Sequence, residues 1–110
     1  MQKTSLFPMS VIAAAAVSAA RFVGMLTGAH CAAGAKAQGV SQYAASTGEA
    51  FAVDVLGTTI VEAGGAVAAG AAVEADAQAR AITRTTGEIN GWAVTGASAA
   101  GQKIEVLLKL

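Results

Sequence analysis

At 110 residues, with 55% apolar but only 5% aromatic residues, the chain has the length of one domain and a core built mainly from small side chains. Seven basic and seven acidic residues cancel, with no run of like charge, which excludes a phosphate-binding surface for nucleic acid and a polybasic membrane patch. A single cysteine and a single histidine exclude an intrachain disulfide and a thiolate–imidazole zinc centre.

Lys3, the apolar run from Leu6 to Val17 and the small residues Ser18-Ala19-Ala20 together imitate a secretory signal. Pro8 interrupts that run, and its Ala and Ser content makes a poor membrane span. Residues 1–20 are therefore expected to be mature structure, an N-terminal arm ahead of a β-domain at 21–110. Within the arm, alanine propensity leaves a short helix at 12–20 open beside an extended conformation.

From Gly24 onward, glycines recur every few residues and leave no long helical window, since each costs about 1 kcal/mol inside a helix. The segments between them alternate. Phe51, Val53 and Val55 share one strand face, as do Ile104, Val106 and Leu108. Further strands are expected at 21–26, 58–62, 71–75 and 80–83, with Asp76 to Ala79 as a hairpin turn. Many short strands and Gly-rich turns indicate an all-β fold, a small β-sandwich or open β-barrel.

The pattern echoes itself about 52 residues apart. Gly39-Val40-Ser41-Gln42-Tyr43-Ala44-Ala45-Ser46 is answered by Gly91-Trp92-Ala93-Val94-Thr95-Gly96-Ala97-Ser98, and Gly48-Glu49 by Gly101-Gln102. Phe51, Val53 and Val55 then match Ile104, Val106 and Leu108. Two similar halves are expected, each covering the apolar face of the other. Trp92 aligns with Val40, which favours a place in the core opposite Phe51; the alternative is an interface, where Trp is enriched.

No constellation carries chemistry. His30 and Cys31 are adjacent, so on a strand they face opposite ways, and they are expected to be a loop histidine and a small buried cysteine. Gly64-Gly65 and Gly70 are followed by no Gly-Lys-Ser/Thr and read as turn glycines. Asp54, Glu62, Glu74 and Asp76 lie on separate segments, unlike a calcium loop, and are assigned to solvated strand faces. No enzyme, cofactor, metal or small-molecule substrate is expected.

The run Gly48-Glu49-Ala50-Phe51-Ala52-Val53-Asp54-Val55-Leu56-Gly57 is followed by Val61-Glu62-Ala63-Gly64-Gly65-Ala66-Val67-Ala68-Ala69-Gly70-Ala71-Ala72-Val73. With Asp76 to Ala81, Gly91-Trp92-Ala93 and Ala97 to Leu108, this order resembles the small capsid cement, or decoration, proteins of tailed bacteriophages over roughly residues 20–110. The resemblance implies a non-enzymatic β-rich virion protein on the outer surface of the expanded capsid, made in the host cytoplasm. Its implied partners are the major capsid protein and itself, as a homo-oligomer, dimer or trimer. Phe7, Met9, Ile12 and Trp92 are the candidate interface residues, with the arm lying across neighbouring subunits. The rival reading is a secreted or surface-exposed bacterial β-domain acting as an adhesion module.

Overall fold

The computed structural model describes residues 4–109, and side chains from Pro8 onward. Eight strands appear among them: β1 (Thr4–Ile12), β2 (Phe22–Gly24), β3 (Ala37–Ser41), β4 (Ala50–Glu62), β5 (Ala72–Ala75), β6 (Ala81–Thr83), β7 (Gly91–Ala93) and β8 (Lys103–Leu108). No helix forms among the described residues. Glycine spacing and alternation outweigh alanine propensity, as the all-β expectation requires.

The sheet runs β2-β3-β4-β8-β7-β5-β6, with β1 added to β4, and every named pair is antiparallel. Strand β4 organises it. Asp54 pairs Pro8 on one edge and Val40 on the other, while Thr58 pairs Thr4 and Leu107. The two segments read separately as 51–55 and 58–62 are one strand, continuous through Gly57. The stretch read as an arm contains β1, in register with β4 from Thr4↔Thr58 to Ile12↔Ala50. Pro8 is compatible with that strand because β1 is an edge, where a missing donor breaks no ladder. Beyond β1, Ala13 and Val17 are buried.

The echo is a structural repeat, and it is longer than residues 39–55 and 91–108. β2 meets β3 at Phe22↔Val40 and Val23↔Gly39; β5 meets β7 at Ala72↔Trp92 and Val73↔Gly91. β3 meets β4 at Val40↔Asp54, and β7 meets β8 at Trp92↔Leu107. The bridge Val17↔Ala45 has its counterpart in Val67↔Ala97. Even the caps repeat, with the Ser46 amide donating to Glu49 Oε1 and the Ser98 amide to Gln102 Oε1. The first half runs from β1 through the N-terminal part of β4, and the second from the remainder of β4 to β8. By this alignment β1 corresponds to the C-terminal part of β4, so β4 closes one half and opens the next.

The core is unevenly divided between them. A smaller cluster of Ala13, Val17, Val23, Ala45, Phe51, Val53 and Val55 fills the first half. Their counterparts Ala63, Val67, Val73, Ala97, Ile104, Val106 and Leu108 all join a larger cluster, which also takes in Phe22, Ala37 and Val40 from the first half. The second half therefore covers the face of β2 and β3 that bears Phe22 and Val40. Polar contacts close the seam. Arg21 pairs with Glu62 at 3.3 Å and donates to the Gln78 carbonyl, and Thr59 Oγ1 donates to the buried Asp54 carboxylate at 2.7 Å.

Candidate functional site: two exposed apolar surfaces

Burying alternate residues of a strand leaves the others outside, so the free faces follow from the register. In β7, Gly91 and Ala93 are buried and Trp92 points out, 38% exposed. The expectation that Trp92 fills the core opposite Phe51 is thus corrected. Trp92 does occupy the backbone position of Val40, but the second half covers Val40, and nothing among the described residues covers Trp92 in the same way. Its register partner Leu107 is also exposed, as is Val94, two residues along the same face. Tyr43, in the first half, is exposed too.

The second surface lies on the opposite half. Met9, on β1, sits with Met25, Leu26, Ala37, Gln38 and Val55 around a recess of about 280 Å³, rimmed by Lys36 and Lys109. That volume falls just below the roughly 300–1,000 Å³ of small-molecule sites, and suits one or two side chains of a partner better than a ligand. An adjoining shallower groove runs along Met9 to Ile12 and meets Leu26 to Gly28. Leu26 is 81% exposed and Ile12 63%, high values for large apolar side chains. Burial, with the neighbouring Lys109 ammonium, lowers the Lys36 pKa from its ordinary value, and Lys36 Nζ donates to the Lys109 carbonyl at 2.7 Å.

Of the sequence candidates, Met9 and Ile12 fall on this second side and Trp92 on the first; the side chain of Phe7 lies outside those described. Leu26, Met25 and Leu107 were not singled out. The signal available for Leu107 was its parity: in the alternating strand Lys103 to Leu108 it falls opposite Ile104, Val106 and Leu108.

The titratable groups build structure. His30 Nε2 accepts the Ser18 amide at 2.9 Å, and burial, reinforced by the Arg21 guanidinium, holds the imidazole pKa below its ordinary value. Cys31 is buried, and burial raises its thiol pKa. Asp54 and Glu74, expected on solvated faces, are both buried. Asp54 accepts from Gln42 within its own half and from Thr59 across the seam between halves. Glu74 Oε1 accepts the Thr85 amide and hydroxyl at 2.6 and 2.9 Å, pinning the loop after β6. Among the described residues no three His, Cys, Asp or Glu side chains gather to hold a metal. No helix among them is long and apolar enough to cross a membrane. What the surface offers is apolar contact area.

Comparison with known proteins agrees. The family model of phage cement proteins matches residues 1–110. Among solved structures, the N base of the head fiber gp8.5 in bacteriophage phi29 superposes with a TM-score of 0.78 at 20% identity, covering 94% of this chain and 93% of that one. At that identity the likeness establishes the fold. No curated protein sequence matches.

Proposed function

The chain belongs to the phage cement protein family, a capsid decoration protein with a structural rather than enzymatic role, and on that premise we propose that it binds the outer surface of the expanded head and clamps adjoining capsomers. The observation that supports this reading is the pair of exposed apolar surfaces, with no metal-holding group of His, Cys, Asp or Glu among the described residues. A specific interface removes about 1,600 Å² in total, and shell symmetry multiplies a modest gain per copy. The major capsid protein is the proposed partner. The proposed capsid contact is the N-terminal strand with Phe7 and Ile12, the latter extended by Leu26 across the shallow groove.

Sedimentation of purified protein with heads lacking it tests the reading. The intact chain pellets with expanded heads, and decorated heads outlast bare ones under heat or low-salt shock. Deleting β1 would remove a strand that pairs β4 along its length, so the informative variant is Ile12→Asp, which changes an exposed side chain and leaves the register intact. It binds heads weakly. Undiminished binding by Ile12→Asp removes that strand from the contact, and failure of the intact chain to bind overturns the capsid reading.

A further inference from the structure

The contact between the halves has a recess side and a knob side. On the recess side, the second half offers Thr59, Ala75, Asn90 and Leu108, all buried. Thr59 donates to Asp54, and Asn90 Oδ1 accepts the Ala37 amide at 2.9 Å while its Nδ2 donates to the Ala35 carbonyl. Ala75 and Leu108 join the cluster that receives Phe22 and Val40. On the knob side, the first half supplies Phe22, Val40 and Asp54, also buried.

Each set has a counterpart at the same repeat position, and each counterpart has exposed members, Met9 and Met25 in one, Trp92 and Leu107 in the other. Thr59, Ala75, Asn90 and Leu108 correspond to Met9, Met25, Gln38 and Val55, and all four of these line the recess of the first half. Phe22, Val40 and Asp54 correspond to Ala72, Trp92 and Leu107, aligned in one row by the registers Ala72↔Trp92 and Trp92↔Leu107. Among the described residues, nothing fills the recess on one half and nothing receives the knob on the other. Both are the surfaces that the halves already use on each other.

We infer that the Trp92–Leu107 face of one copy docks into the Met9–Met25 recess of a second copy, repeating between chains the contact that joins the halves. The larger knob fits the change of lining. Methionine is unbranched and flexible, and adapts to a bulky indole, whereas the smaller Ala75 shares a cluster with Val40. Gln38, the counterpart of Asn90, spends its amide inside its own half, Oε1 accepting the Leu26 amide and Nε2 reaching Met9 Sδ, and so holds the recess wall in place. Because the two surfaces differ, the contact is heterologous, closing into a ring if the rotation permits and otherwise growing head to tail. The inference rests on the repeat alone and requires no capsid, so its failure is distinct from failure of head binding.

Sedimentation velocity of the full chain, with Met25→Glu and Trp92→Glu, tests it. The intact chain sediments as an oligomer. Each variant alone associates about thirtyfold more weakly or worse, and each keeps the circular dichroism spectrum of the intact chain, because both side chains are exposed. An equimolar mixture of the two forms a one-to-one dimer, since each retains the surface that the other lacks. As a measurement independent of the glutamates, a chain carrying both Leu26→Cys, on the recess lining, and Val94→Cys, beside Trp92, keeps both anchors and forms an interchain disulfide on mild oxidation. An intact chain that stays monomeric to its solubility limit overturns the inference. So does a Met25→Glu variant that assembles like the intact chain, the sign of a two-fold Trp92 contact, and so does a mixture or a cysteine pair that gives no joined species.

Discussion

Val40 and Trp92 hold the same place in the two halves, one paired to Phe22 and Asp54, the other to Ala72 and Leu107, yet Val40 is 0% exposed and Trp92 38%. The backbone repeats; the burial does not. A repeat unit covers its neighbour on one side only, so the last unit always presents the face that the first has hidden. Stability and association therefore separate by half, which can be measured.

Truncating the covered knob empties the larger core cluster, whereas truncating the open one does not. Phe22→Ala is expected to cost about 3–5 kcal/mol, enough to leave a thin-cored domain largely unfolded. Trp92→Ala is expected to change stability by about 0.5 kcal/mol or less when measured on the monomer at low concentration. Urea unfolding of both variants checks the contrast, and equal losses would mean that Trp92 is a core residue after all.

Gly39 and Gly91 repeat for a steric reason. A Cβ on Gly39 would collide with the Asp54 carbonyl oxygen, and one on Gly91 with the Leu107 carbonyl oxygen, at equivalent strand crossings. Gly39→Ala and Gly91→Ala are each expected to destabilise by about 1–3 kcal/mol, the usual cost of forcing atoms into packed structure. Gly65 has open space around it and no left-handed backbone, so Gly65→Ala is expected to be neutral or stabilising, by up to about 1 kcal/mol. Thermal melts of the three variants give the comparison.

Acid should loosen the loop after β6. The hydrogen bonds from the Thr85 amide and hydroxyl, joined by the Gly87 and Thr86 amides and only partly opposed by burial, hold the Glu74 pKa below its ordinary value. A carboxylate whose pKa is lower folded than unfolded contributes stability that is fully present above the unfolded value. That stability is lost as pH falls through the folded one. The chain is expected to lose melting temperature below the ordinary carboxylate range, and Glu74→Gln to melt lower at neutral pH with a shallower acid slope. Parallel acid slopes in melting curves from neutral to strongly acidic buffer would exclude Glu74 as the source.

Much of the fold was legible locally. Alternation named the inward residues of β8 and of the first part of β4, the Asp76–Ala79 hairpin forms with the Asp76 carboxylate capping the Gln78 and Arg80 amides, and the echo announced two halves. The echo also has an earlier, alanine-rich stretch. Val11, Ala13, Ala16, Val17 and Ala19 recur as Val61, Ala63, Ala66, Val67 and Ala69, and they place β1 against β4 as β4 stands against β8. Alanine-rich segments hide such matches, because identity between alanines carries little information.

By itself the sequence determined the all-β class, the apolar sides of β8 and of the first part of β4, and that the pattern occurs twice. These are local properties, set by backbone sterics and the two-residue period of a strand. Only the tertiary structure decided which of two apolar faces is covered. That choice depends on β4 serving both halves and on the second half folding over Phe22 and Val40, contacts between residues far apart in the chain. The same long-range packing buried Asp54 at the seam, left Trp92 and Leu107 in the open, and opened the recess beneath Met9 and Met25.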